Sequence, residues 1–212
     1  MEYFQSQGVQ ELIIDLRYNG GGSVAVAEQI CNYLVQSANT GKLMYTNQLN
    51  ATKTAQNSSR NFSKIGNINL SRVIFITSRS SASASELIIN ALDPYMDVVL
   101  IGDNTYGKPV GSFPLSSYNR ILQNNNVEVV PITFAIANSV GKAEYFDGFP
   151  ADFKVGDSPQ IAWGNENDLR LAAAIQYIRT GTVGNRMKDS YFKPRWEIID
   201  AFKGLQQEFP VF

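Results

Sequence analysis

Apolar residues fall in short runs along this chain, and several runs are followed at once by small or glycine-rich residues. Glu11 to Leu16 (ELIIDL) is such a run. It closes on Asp15, Leu16, Arg17, Tyr18 and Asn19 and meets Gly20, Gly21 and Gly22, which predicts a buried strand ending in a flexible turn. From Ser23 the period changes to that of a helix, with Val24, Ala27, Cys31 and Leu34 on one stripe behind a serine able to cap it. Thr46 to Asn69 is almost wholly polar without usable periodicity, which predicts an exposed flap with few apolar anchors. A second strand, turn and helix follow as Val73 to Thr77, Ser78 to Ser83, and Ser85 to Leu92, stopped by Asp93 and Pro94. Val98 to Ile101 predicts a third strand, ending in the loop Gly102 to Pro109. Val127 to Ala137 supplies one or two more, and Asn165 to Thr180 a helix closed by Gly181. Trp196, Ile199 and Phe202 recur at helical spacing near the end, and that segment is expected to pack back on the domain. Alternating strands and helices predict an α/β architecture of repeated strand-turn-helix units, in which sites gather at strand C-terminal ends.

Composition narrows the chemistry. With 212 residues, 44% of them hydrophobic, 16 Gly and 8 Pro, the chain has ordinary globular composition and length for one generous domain or a domain with an appendage. No segment approaches the roughly 18 to 20 apolar residues of a membrane-spanning helix. The first eight residues, MEYFQSQG, lack the basic and apolar regions of a signal peptide. Eighteen Lys and Arg against nineteen Asp and Glu leave a net charge of −1 without a basic block, which speaks against nucleic-acid binding. The chain has no histidine, so it cannot build a Ser-His-Asp triad, a Cys-His dyad or a His-ligated metal site from its own residues. Its single cysteine, Cys31, sits at helical spacing among apolar residues and reads as core.

Three loops at predicted strand ends carry the candidate chemistry: the triple glycine, the cluster Ser80-Ser81-Ala82-Ser83-Ala84-Ser85-Glu86, and the loop with Gly107 and Lys108. Without histidine, a desolvated lysine is the available base for a serine, because burial disfavours the ammonium and lowers its pKa. Each piece also has a plain structural reading. Ser83 and Glu86 fit the S-x-x-E capping box of a helix start, the glycines fit a tight turn, and a lone lysine is most often a solvated surface residue. Gly102 to Lys108 also spells G-x-x-x-x-G-K, nearly a phosphate-binding loop. Pro109 replaces the hydroxyl residue that would hold magnesium, and Pro-Val-Gly cannot start the helix that would complete the cradle, so no nucleotide is expected.

Taken together, LIIDLRYNGGG (Leu12 to Gly22), VIFITSRSSASASELIINAL (Val73 to Leu92), VVLIGDNTYGKPVGS (Val98 to Ser112) and, more weakly, FDGFPADFKVGD (Phe146 to Asp157) resemble the catalytic domain of the S41 peptidases. These are the C-terminal processing or tail-specific proteases, and the G-K-P-V-G ending is similar to a Bacteroidetes-type subgroup. The resemblance implies a ClpP/crotonase-like fold over residues 1–182, with residues 183–212 as an extension. It implies Ser83 as nucleophile and Lys108, 25 residues later, as base. It further implies an oxyanion hole from the Ala84 amide and a glycine amide of the triple-glycine turn, Gly21 first and Gly22 next. Many members carry a glutamine four residues after the lysine that orients it. Ser112 stands there, and its hydroxyl can still bond the amine. Some members have an aspartate where this chain has Pro94, and neighbouring Asp93 receives no catalytic role. No metal and no cofactor are implied.

The family normally has a helical region, first core strands and often a PDZ domain ahead of the D-L-R strand, where this chain has about ten residues, so the resemblance implies that those parts are missing here. It implies polypeptide substrates, an extracytoplasmic setting (periplasm or outer membrane), and an exposed sheet edge through which a homodimer could form. Two rivals remain at this level: a non-catalytic peptide- or ligand-binding module that keeps the fold, and an acyl-transfer or hydrolytic enzyme with a small substrate.

Overall fold

The run Arg72-Val-Ile-Phe-Ile-Thr77 is apolar at nearly every position because both faces of its strand are covered. A computed structural model describes residues 1–185 and Tyr191. The predicted stripe of Trp196, Ile199 and Phe202 therefore lies outside the described residues. A short helix α1 (Glu2–Ser6) and strand β1 (Ile13–Asp15) lead through the glycine turn into helix α2 (Val24–Leu34). Strands β2 (Leu43–Gln48) and β3 (Ser58–Asn61) form a hairpin, and β4 (Arg72–Thr77) leads through the serine loop into α3 (Ala84–Leu92). After β5 (Asp97–Gly102) come β6 (Val110–Ser112), the short helix α4 (Arg120–Asn124), β7 (Ile132–Asn138), β8 (Phe153–Lys154) and α5 (Leu169–Thr180).

Two four-stranded sheets result, giving a mixed α/β molecule. One has the order β1-β4-β5-β8 and is parallel throughout; the other has the order β3-β2-β7-β6 and is antiparallel. Alternate residues of β4 serve different layers, as strand pleating dictates. Ile74 and Ile76 join Val99, Ile101 and the α5 residues Ala173 and Ala174 in one apolar cluster. Val73 and Phe75 join Cys31, Leu34, Leu87, Leu92 and the antiparallel-sheet residues Met44, Phe134 and Ile136 in the larger one. Helix α3 is buried at all nine positions, so it reads apolar round most of its circumference. Cys31 is fully buried, as its spacing predicts.

One expectation fails. The polar stretch Thr46 to Asn69 is not an unanchored flap. It holds the end of β2 and the whole of β3, and its Phe62 and Ile68, with Leu70 just beyond, are buried in the core. The β3 residues are polar because the strand is a sheet edge exposed along its length, paired to β2 on one side only. An excursion does exist elsewhere, between β6 and β7, where Tyr118 and Ile121 are exposed.

What positions the site is the adjacency of β1, β4 and β5. Because the three are parallel neighbours, the loops leaving their C-terminal ends emerge side by side. Those loops are the glycine turn, the serine cluster and the lysine loop.

Candidate active site

Backbone bonds first knit the three loops together. The Ala82 amide and the Ser85 hydroxyl both donate to the Asn19 carbonyl, at 3.1 Å each. Ser81 Oγ donates to the Leu16 carbonyl at 2.7 Å, and the Tyr106 amide donates to the Ser81 carbonyl at 2.9 Å. Gly21 lies so close to the serine loop that a Cβ there would stand 2.8 Å from Ser83 Cβ and 2.9 Å from the Ala84 nitrogen, and its φ of +110° also excludes a side chain. The triple glycine thus permits a close backbone approach as well as a turn.

Ser83 occupies the junction between the β4 loop and α3 with φ 55° and ψ −116°, a conformation rare for a residue with a side chain. This strained strand-to-helix junction is the arrangement that pushes a serine hydroxyl out beside the first amides of a helix. Ala84 supplies the first of those amides.

Glu86 joins the serine loop to the lysine loop. It has no exposed surface, and its carboxylate accepts four hydrogen bonds: from the Ser83 amide (3.0 Å), the Thr105 hydroxyl (2.6 Å), the Gly107 amide (2.7 Å) and the Lys108 amide (2.8 Å). The bond to the Ser83 amide is the glutamate half of the capping box that the S-x-x-E spacing predicts. The grip on Gly107 and Lys108, 21 and 22 residues away, leaves no local sequence signal. The hydrogen-bonded link between Ser83 and Lys108 therefore runs through Glu86 and their main chains rather than directly between side chains.

Ser83, Ala84, Lys108, Ser112 and Gly22 all line one cavity of about 190 Å³, so the predicted site residues are brought together, with one distinction among the glycines. Gly22 faces the cavity, whereas the Gly21 amide donates to Asn19 Oδ1 at 3.0 Å. Burial lowers the Lys108 pKa from the ordinary lysine value of 10.5, with the negative charge of Glu86 opposing that shift. Asp93, at the end of α3, pairs with Lys142 at 3.3 Å and stands outside this cluster.

Behind the glycine turn, Arg17 is clamped by three carboxylates: Asp15 at 2.7 Å, Asp168 at 2.9 Å and Asp157 at 3.2 Å. Asp168 also caps α5 by accepting from the Leu171 amide at 2.9 Å. The D-L-R motif is therefore tied to the chain beyond residue 155.

The sequence model of peptidase family S41 matches residues 1–138, which is more than half of the chain. The chain belongs to peptidase family S41. Among curated relatives, the "Probable CtpA-like serine protease" of Staphylococcus epidermidis is 28% identical over 104 residues, covering 49% of this chain and 20% of its own length. Among solved structures, a Bacteroides fragilis protein assigned to the S41 proteases superposes with a TM-score of 0.74 at 29% identity, over 84% of this chain and 47% of that one. This neighbour fits the Bacteroidetes-like subgroup. The fold is shared more distantly with a photosystem II D1 C-terminal processing protease (TM-score 0.53, 22% identity, 72% of this chain and 36% of that one). It is shared also with a lipoprotein of Streptococcus agalactiae (TM-score 0.58, 13% identity, 84% and 60%). This S41 chain spans about a fifth of the curated relative and just under half of the Bacteroides fragilis chain.

Proposed function

We propose that this S41 chain carries the reaction centre of a serine endopeptidase of the C-terminal processing type, acting on extracytoplasmic polypeptides through a Ser83–Lys108 dyad. The observation that carries the reading is the shared cavity wall, where a strained serine at a helix start stands with a desolvated lysine and the Ala84 and Gly22 backbones. Neutral Lys108 takes the Ser83 hydroxyl proton as Oγ bonds to the substrate carbonyl carbon. The Ala84 and Gly22 amides hold the resulting oxyanion. Gly22 is preferred to Gly21 because the Gly21 amide is already bonded to Asn19. Collapse breaks the C–N bond, and the Lys108 ammonium returns its proton to the leaving amine. A water deprotonated by Lys108 then releases the acyl group. Ser112 lines the same cavity, which supports its hydroxyl as the group that orients the amine. The direct Ser83–Lys108 bond forms with substrate in place, since such bonds are often long in a free enzyme.

The strand-turn-helix pairs β1-α2 and β4-α3 support a ClpP/crotonase-like assignment. The names of the relatives support the tail-specific type and, through the lipoprotein, an extracytoplasmic setting. Among the described residues no helix is long and apolar enough to cross a membrane.

A second reading, a peptide-binding module without catalysis, is favoured by Ser112 standing where the family's glutamine would be. Labelling of the full-length protein with a fluorophosphonate separates the two. An active dyad reacts at Ser83, the rate rises with pH to a midpoint below 10.5 as Lys108 loses its proton, and Ser83→Ala and Lys108→Met abolish it. A binding module is unlabelled at every pH.

A further inference from the structure

The cavity continues past the reacting groups into an apolar recess. Val24, Leu87, Val110, Val130, Phe134 and Ile136 line it, and among the described residues Lys108 is the only ionisable side chain on its wall. Its floor is fixed by an unusual pair. Gly111 and Phe134 face each other across β6 and β7, and a Cβ on Gly111 would stand 2.3 and 2.5 Å from Phe134 ring atoms. The ring therefore lies over the glycine, with the Phe113 ring 4.7 Å from it. Phe134 is 9% exposed and belongs to the main core, so it has little room to move aside. A volume of about 190 Å³ compares with the engineered apolar cavities of about 150 Å³ that take up benzene.

Resting on the proposed peptidase reading, we propose that this recess receives the side chain of the residue whose carbonyl Ser83 attacks, and that Gly111 and Phe134 together set its size limit. The side chain accepted is neutral and apolar, a branched aliphatic or a single ring. On this reading a fused double ring is stopped by the Phe134 ring held over Gly111, and a carboxylate entering the apolar recess loses hydration without gaining hydrogen bonds there. The distinction depends on the glycine: any side chain at residue 111 drives the Phe134 ring toward the recess, and a smaller residue at 134 deepens it.

Two measurements test this. The first is independent of catalysis: toluene titrated into full-length Ser83→Ala protein shifts the Leu87 and Ile136 methyl resonances, and an absence of saturable shifts overturns the recess as a ligand site. The second uses peptidyl phosphonates with Ala, Leu, Phe, Trp or Asp at the position next to phosphorus. Leu and Phe are expected to label Ser83 about 10-fold faster than Ala and about 100-fold faster than Asp. Gly111→Ala shifts the preference toward Ala, and Phe134→Leu, chosen to retain core volume, admits Trp. Labelling without side-chain preference, or a Phe134→Leu protein that folds and keeps the original order, overturns the inference while leaving the peptidase reading intact. Toluene binding with no labelling by any phosphonate overturns the peptidase reading and leaves an apolar ligand site.

Discussion

Glu86 and Arg17 are both buried ionic side chains that hold the site together, and they are satisfied in opposite ways. Glu86 meets four neutral donors, three of them main-chain amides. Arg17 meets three carboxylates, and the Trp163 ring lies 4.8 Å from its guanidinium. Burial alone would lower the Arg17 pKa, but the hydrogen bonds and charges of Asp15 and Asp168 raise it above its ordinary value. The difference matters for what each can position. Amides are fixed in direction by the backbone, so Glu86 defines where the Ser83 and Lys108 main chains sit relative to one another. Arg17 is directional through its own planar fork, with Nε and Nη2 on Asp15 and Nη1 on Asp157 and Asp168, so it ties segments distant in sequence to one point.

The largest expected effect follows from removing the neutral hub. Glu86→Ala leaves four donors without an acceptor, the Thr105 hydroxyl buried and the three amides partly so, at about 1 kcal/mol each, and is expected to cost about 4 kcal/mol in urea unfolding. Glu86→Gln, which keeps one acceptor oxygen and turns an amide toward donors, should fall between this and the native protein. A Glu86→Gln protein of native stability and labelling rate would show that the carboxylate is not what aligns the loops. Removing the charged hub with Arg17→Met is expected to cost about 3 kcal/mol, because it leaves the nearly buried Asp168 without its cation. That variant also sharpens the comparison through pH. Burial by itself would raise the Asp168 pKa, but hydrogen bonds from Arg17, the Leu171 amide and Ser158 hold it below 3.8. Its contribution to stability is thus complete above 3.8 and is lost as pH falls through the lowered folded value. In Arg17→Met the acid transition should move to higher pH, and an unmoved transition would count against the assignment. The smallest effect concerns Ser83. Ser83→Gly relieves a positive φ and is expected to gain about 1 kcal/mol in thermal unfolding while ending all reaction with the phosphonates. A loss of stability there would mean that the hydroxyl contributes more than the backbone strain takes away.

The parallel-sheet half of the fold is legible in the sequence because its central strands, β4 and β5, are largely covered on both faces. Val73 to Thr77 and Val98 to Ile101 are nearly continuous apolar runs, and β4 and β5 extend no more than one residue beyond them. The antiparallel half is less so. Ser58 to Asn61 is an edge strand whose hydrogen bonds, rather than its side chains, decide its conformation, and β6 is only three residues long. The helix expected from Asn165 begins at Leu169 because Asp168 caps it while holding Arg17. Within the site, it is the family resemblance that singles out Ser83, Lys108 and the glycine turn as candidates. It does not reveal that Asn19 uses its side chain on Gly21 and its carbonyl on Ala82, which is what separates Gly21 from Gly22. Nor does it reveal the recess floor, since Gly111 and Phe134 meet only through strand pairing.

The bonds from Arg17 to Asp157 and Asp168 cross 140 and 151 residues of chain. During synthesis the D-L-R segment, the serine loop and the lysine loop all leave the ribosome well before those two carboxylates do. Until residue 157 emerges, Arg17 has only Asp15 of its three partners, and until residue 168 follows, the clamp behind the glycine turn cannot close. Closure of the clamp thereby waits on residue 168, so the three loops of the site stay untethered from behind while the intervening chain is made.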